Sequence, residues 1–307
     1  GSFIASGGQD GTLRLWDSRG ARSLGQPVTV QVEPVAIGYG DDGKLIAATK
    51  DGWVLDVGQQ SPRSVSADTK SGGSASESAT RLFTADGRRI AVAGKNGTIG
   101  VFDVQSGKRI GAEIEQGPGV RAVALSADGA RIAVADGDGV IQLWDVGTGT
   151  RVGQPMRGHR DGITALAFSP DGTLLASGGG GYWSQDNSVR IWDTSSQNQV
   201  GNPLIGHRSA VRSLAFSPNG SRLVSAGGDD ERNDYSIRQW DVVSGTALGV
   251  PLDAHTATVR AVAFSADGRL ILSGGMDRSL RFWDSTTGQP AGPTLAQDAP
   301  INQIAIG

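Results

Sequence analysis

The feature that most constrains this chain is a short string that keeps returning: an alternating apolar run closed by Trp-Asp. It stands at 12–17 (TLRLWD), 141–145 (IQLWD), 189–193 (VRIWD), 237–241 (IRQWD) and 280–284 (LRFWD), with a weaker copy, TIGVFD, at 98–103. Upstream lies a second string, an alternating run followed by a turn: VRAVALSADG (120–129), ITALAFSPDG (163–172), VRSLAFSPNG (211–220) and VRAVAFSADG (259–268). Alternation with period two marks a strand with one buried face, and the Asp-Gly or Asn-Gly tail supplies a tight turn whose glycine takes positive φ. Trp144, Trp192, Trp240 and Trp283 recur at intervals of 48, 48 and 43 residues. That interval holds four short strands with their turns, the unit of one propeller blade.

The pattern predicts an all-β fold, a seven-bladed β-propeller of four-stranded antiparallel blades. Reading each unit as strands a to d, strand a begins near Val32, Ala79, Val120, Ile163, Val211 and Val259. The chain opens inside a unit, with FIASGG (3–8) as strand b and TLRLW (12–16) as strand c, and it ends on INQIAIG (301–307), a lone strand a. The fragments complement each other, so the C-terminal strand is expected to join the N-terminal blade and close the ring, leaving no open sheet edge. Residues 1–307 then form one domain, although length alone would suggest about two. Gly1-Ser2 has the form of a cloning scar, so the domain is expected to be cut from a larger protein. Two regions depart from the pattern. Residues 66–80, SADTKSGGSASESAT, are expected to form a mobile loop between blades 2 and 3. The unit at 32–65 carries DGWVLDVG at 51–58 in place of a Trp-Asp ending.

Composition narrows the function. The 47 glycines against 12 prolines fit a turn-rich chain rather than a collagen-like or polyproline one. A net charge of −3, from 28 basic and 31 acidic residues, gives no general attraction for phosphate backbones, so no nucleic acid is expected as a partner. The absence of cysteine removes disulfides and thiolate metal sites. No apolar run approaches about 18 residues, so no membrane insertion is expected. A cytoplasmic, monomeric propeller is the expectation.

The Trp-Asp endings, Gly-His at 158–159 and 206–207, the variant Ala254-His255 and the FSPDG-type turns together resemble WD-repeat propellers, and the resemblance spans the whole chain. It implies a protein-interaction platform or scaffold rather than an enzyme. The phrases VGQPMRGH (152–159) and VGNPLIGH (200–207) look like those of propellers in bacterial multidomain signalling proteins. No phosphate loop of the GxxxxGK[ST] kind and no kinase signature accompanies them.

Three repeats place a histidine, a serine, an aspartate and a tryptophan at matching positions: His159, Ser177, Asp186, Trp192; His207, Ser225, Asp234, Trp240; and His255, Ser273, Asp277, Trp283. Ser, His and Asp together suggest hydrolysis. Threefold repetition suggests instead a structural network, in which indole N–H, hydroxyl and imidazole satisfy one another, as similar networks do in this family. A catalytic serine also needs an oxyanion hole and a cleft, which a blade interior lacks. Elsewhere Gln116 and Gln297 stand where histidine is expected, and Val92 and Val134 replace the serine. Those blades are expected to rely on packing and to be softer. Histidines on separate blades cannot converge on one ion, and the acidic run 229–231 has no calcium-loop form, so neither metal nor cofactor is expected.

Candidate partner-binding residues fall on one face, called the top, which carries the d–a and b–c loops. Two b–c loops are lengthened, GGGGYWSQDNS (178–188) and GGDDERNDYS (227–236), and they bring Tyr182, Trp183, Asp230, Arg232 and Tyr235, with Arg160 and Arg208 just after the Gly-His pairs. Trp, Tyr and Arg dominate interface hot spots, so a protein or peptide is the expected partner. Arg121, Arg212 and Arg260, one residue into strand a, are candidates for the channel rim and a small anionic ligand. Pairing with turn carboxylates of neighbouring blades is the alternative role for them.

Overall fold

A computed structural model describes residues 3–17, 22–24, 26–29, 34–39, 45–49, 53–56, 62–64, 81–83, 88–94, 96–181, 184–228 and 232–306. Among them are seven antiparallel sheets, each running a-b-c-d, in chain order in all but blade 1, whose strand a is the last of the chain. Blade 5 is typical, with Ile163–Phe168, Leu174–Gly179, Val189–Asp193 and Gln199–Leu204. Blade 4 runs from Val120–Leu125 to Arg151–Arg157, blade 6 from Val211–Phe216 to Thr246–Ala247, and blade 7 from Val259–Phe264 to Leu295–Ala296. Blade 2 forms without a Trp-Asp ending, its strand c being Trp53–Asp56. The expected starts Val32 and Ala79 lie outside the described residues, and those inner strands begin at Pro34 and Arg81. The segment 66–80 also lies outside them.

Closure is direct. Ile301–Ile306 is strand a of blade 1 and pairs antiparallel with Phe3–Gly8, with Ile4 opposite Ile306 and Gly7 opposite Gln303. The core has the same cyclic form. Buried side chains fall into seven clusters, each joining two successive blades: Ile163, Leu175 and Trp192 pack on Ile141 and Leu143 at the seam of blades 4 and 5, and Ile4 and Trp16 pack on Leu272, Phe282 and Ile301 at the seam of blades 7 and 1. A blade is apolar on both faces, so strand b of blade 5 is almost wholly buried while its outer strand d is mostly exposed. Only stacking on two neighbours covers both faces, and the ring gives every blade two.

The turns are built as their residues dictate. After strand a of blade 5, the Gly172 amide donates to the Ser169 carbonyl at 2.9 Å with Gly172 at φ 70°, and the Ser169 hydroxyl donates to Asp171 at 2.6 Å. At the inner rim each strand a of blades 4 to 7 carries a β-bulge near its start, which leaves one unpaired residue: Arg121, Thr164, Arg212 and Arg260.

Candidate functional site

The repeated polar residues meet inside their blades. In blade 5 the Trp192 indole N–H donates to Ser177 Oγ at 2.8 Å, Ser177 Oγ lies 2.8 Å from His159 Nε2, and His159 Nδ1 lies 3.1 Å from Asp186 Oδ2. Asp186 also accepts the Arg160 amide at 2.9 Å, which ties the turn before strand a to strands b and c. Blade 7 repeats the chain, with Trp283 to Ser273 at 2.9 Å, Ser273 to His255 at 2.7 Å and His255 to Asp277 at 2.8 Å. With the aspartate ionised, Nδ1 carries the imidazole proton, Nε2 accepts the serine O–H, and the serine oxygen accepts the indole N–H. A side chain on Gly179 would come within 2.7 Å of His159 Nδ1, which explains the glycine that follows Ser177 and Gly178.

Blade 6 corrects the expectation that every such chain closes. His207 Nε2 reaches Ser225 at 2.7 Å and Trp240 donates to Ser225 at 2.8 Å, but His207 Nδ1 stands 3.6 Å from Asp234 and has no hydrogen-bond partner. Asp234 instead receives the Arg208 amide and the Ser236 hydroxyl, both at 2.5 Å.

A second correction concerns blades 1 and 4, which lack histidine but keep a polar tether. In blade 4 the Gln116 carbonyl accepts the Trp144 indole N–H directly at 2.9 Å, bypassing the position where Val134 replaces serine. In blade 1 the Gln297 amide donates to Ser6, which also accepts the Trp16 indole N–H at 2.9 Å. The longer glutamine side chain spans the distance that imidazole covers elsewhere.

Burial would push the carboxyls of Asp186, Asp234 and Asp277 up, but hydrogen bonds from a serine two residues on and a backbone amide, joined in Asp186 and Asp277 by one from the facing histidine, hold all three well below the usual range. The folded state therefore binds these protons less readily than the unfolded chain. Their stabilisation is complete above the ordinary aspartate pKa of about 3.9 and is lost as pH falls through and below it. The expected result is a melting temperature that drops steeply on acidification below about pH 4, with a shallower acid-side slope in Asp186→Asn. Equal slopes in parent and variant would show that Asp186 keeps an ordinary pKa.

On the top face, the lengthened loops of blades 5 and 6 are joined. Arg232, exposed and in the blade 6 loop, donates to the Arg208 carbonyl at 2.8 Å and to the Ser184 carbonyl of the blade 5 loop at 3.2 Å. Asn187 donates to the same Arg208 carbonyl at 2.9 Å. Asp161 anchors the blade 5 loop by accepting the Ser184 hydroxyl at 2.9 Å and the Gln185 amide at 3.1 Å. Tyr235 is half-buried, its hydroxyl 3.3 Å from Asn233. Arg160 and Arg208 expose their side chains while their amides serve Asp186 and Asp234. Tyr182, Trp183 and Asp230 lie outside the described residues. Loop length pointed to this region, but the clamp by Arg232, Asn187 and Asp161 was not readable, since it depends on which carbonyls the folded loops turn toward each other.

At the rim, Arg121, Arg212 and Arg260 are exposed at the bulges of blades 4, 6 and 7. Arg121 and Arg260 make no hydrogen bond or ion pair among the described residues, so the alternative of pairing with turn carboxylates does not apply to those two there. In blade 5 the bulge holds Thr164, whose hydroxyl donates across the seam to the Val211 carbonyl at 2.6 Å. Among the described residues no three His, Asp or Glu side chains group as a metal site, and no helix is long and apolar enough to cross a membrane.

Seven seam-packed blades, five of them tethered through a tryptophan at the end of strand c, define a WD-type propeller. The chain belongs to the WD domain, G-beta repeat family, whose model matches residues 1–17, 112–145, 150–193, 198–241 and 245–284. A search of curated proteins finds no match. Propellers of this family are generally protein-interaction scaffolds and are typically non-catalytic.

Proposed function

We propose that this propeller is a scaffold segment of a larger signalling protein, cytoplasmic and monomeric, which receives a protein or peptide on its top face at blades 5 and 6. The observation that carries the reading is the Arg232 clamp, which links the described parts of two lengthened loops beside the exposed Arg160 and Arg208. Loops that exceed what the ring needs, yet are held in place, offer a preorganised surface. Catalysis by the His-Ser-Asp sets is disfavoured because Ser177, Ser225 and Ser273 are 0% exposed and already hydrogen-bonded.

The test is to select peptides on the immobilised propeller and remeasure them by calorimetry against Trp183→Ala, Tyr235→Ala and Arg208→Ala. A hot-spot side chain at this site costs on the order of 2 kcal/mol in binding, while melting shifts little for Arg208→Ala, whose structural contacts are through its backbone. Selected peptides that bind all three variants as well as the parent would move the site elsewhere. Arg121 and Arg260, exposed and without a side-chain partner among the described residues, favour a second reading, capture of a small anionic molecule at the channel mouth. A melting shift with polyanions that vanishes in Arg260→Ala would support it.

A further inference from the structure

One top-face turn breaks the repeat. The residue just before strand c is a glycine in blades 1, 3 and 4, where Gly11, Gly97 and Gly139 have φ between 73° and 78°. Gly11 and Gly97 close the turn by donating their amides to the Gly8 and Gly94 carbonyls. Blade 7 builds the same turn, with the Arg278 amide donating to the Gly275 carbonyl at 3.1 Å, but it places an arginine there at φ 61°. A side chain in that left-handed region raises the backbone energy, and glycine would avoid the rise.

The fold makes no use of this side chain. Arg278 is exposed and forms no side-chain hydrogen bond or ion pair among the described residues. Arg281, three residues on, shows the contrast: it donates to the Ser279 hydroxyl at 3.2 Å and to the Thr294 hydroxyl at 3.1 Å. Strain kept for an exposed cation that touches nothing in its own chain points to a use outside the chain.

The turn continues the surface of blade 6. A side chain on Gly228, at the start of the blade 6 loop, would come within 3.1 Å of Thr258 Cα, and the Thr258 carbonyl accepts the Met276 amide of the blade 7 turn at 2.8 Å. Tyr235 holds in blade 6 the place that Arg278 holds in blade 7, directly after the aspartate that faces the histidine. Arg260 fills the bulge between the pairs Val259–Gly275 and Ala261–Gly274, at the base of the same turn. Like Arg278, the exposed Arg160, Arg208 and Arg260 make no side-chain hydrogen bond or ion pair among the described residues. The carboxylates around them are engaged: Asp186 and Asp277 with histidines, Asp234 with the Arg208 amide, Asp161 with the blade 5 loop. Asp253, exposed, stands apart at the end of the outer edge of blade 6, and the acidic run 229–231 lies outside the described residues.

We infer that the blade 7 turn receives carboxylate side chains of an Asp- or Glu-rich segment in a protein partner, through Arg278 and Arg260. The inference rests on the top face being the partner-binding face and extends it from blades 5 and 6 to blade 7. A guanidinium fork matches a carboxylate two bonds to two, and the bonds of Arg278 to Gly275 and of Met276 to Thr258 fix the base from which it reaches.

The test is fluorescence anisotropy at low salt with labelled hexaglutamate, hexaglutamine and hexalysine on the intact chain. Hexaglutamate should bind about tenfold tighter than either control and weaken as salt is added. Arg278→Gly and Arg260→Ala should each lower its affinity about tenfold. Arg278→Gly should melt no lower than the parent, because glycine accepts the left-handed backbone. Arg121→Ala, on blade 4, should bind as the parent does, which separates this turn from the channel mouth. Failure of the blade 5–6 site reads differently: Trp183→Ala and Tyr235→Ala would leave binding of selected peptides unchanged while Arg278→Gly still weakened hexaglutamate. Equal binding of the three peptides, an undiminished affinity in Arg278→Gly, or a loss in Arg121→Ala as large as in Arg278→Gly would overturn the assignment. So would displacement of hexaglutamate by equimolar inorganic phosphate, or a lower melt in Arg278→Gly, which would make the arginine part of the fold.

Discussion

A chain lacking residues 298–307 is expected to lose cooperative unfolding and to aggregate. The deletion removes strand a of blade 1 and, with it, the pairing that runs from Ile4–Ile306 to Gly8–Ile301. It also strips Ile301, Ile304 and Ile306 from the cluster that holds Trp16 and Phe282 at the last seam. Full burial of one such side chain contributes about 2 kcal/mol, and the freed edge of Phe3–Gly8 would offer unpaired backbone to other chains. Together with loss of a whole seam, this is comparable with the about 5–15 kcal/mol that separates folded domains from unfolded ones. Size-exclusion chromatography and a thermal melt are the measurements. A monomer with an unchanged melt would refute closure by this strand, and recovery on adding a peptide of residues 298–307 would support it.

The second large effect lies in the tethers, and the blades should differ. His159→Ala leaves Ser177 and Asp186 buried without their shared partner and opens a cavity beside Trp192. A cost of about 3 kcal/mol is expected from the orphaned groups and the void. His255→Ala should match it, because both nitrogens of that ring are also bonded. His207→Ala should cost less, about 1–2 kcal/mol, since its Nδ1 has no partner to lose. Chemical denaturation of the three variants decides the order. A His207 variant as costly as the others would mean that the 3.6 Å separation from Asp234 is bridged in solution.

The propeller was legible because its signals are local and repeated. Each Trp-Asp ending and each Asp-Gly turn speaks for its own strand, and the period links them, so even the broken unit at the start and the lone strand at the end could be matched. Blade 2 formed despite lacking those signals because its neighbours supply the faces it packs on, as Ala36 and Ala48 meet Ile90 and Phe102. The tethers were legible as residue types but not as lengths. Nothing in the string says that Gln116 reaches Trp144 past Val134, or that His207 stops short of Asp234. The clamp at Arg232 was hidden for another reason: it binds carbonyls, which every residue has. Gln239 was visible all along, since IRQWD set beside VRIWD puts an amide where isoleucine stands. What the repeats could not convey is that no described neighbour satisfies its buried carbonyl oxygen.

The pairing of first and last strands also determines how the ring responds to force. Ile4 lies opposite Ile306, so both ends of the domain leave from the same end of one ladder. Tension applied between them pulls across the strands, along the direction of their hydrogen bonds, and loads the bonds one at a time instead of shearing them together. Blade 1 would peel open from Ile306 toward Ile301 before any other blade is strained, and release of the load would let the same strand zip back into place.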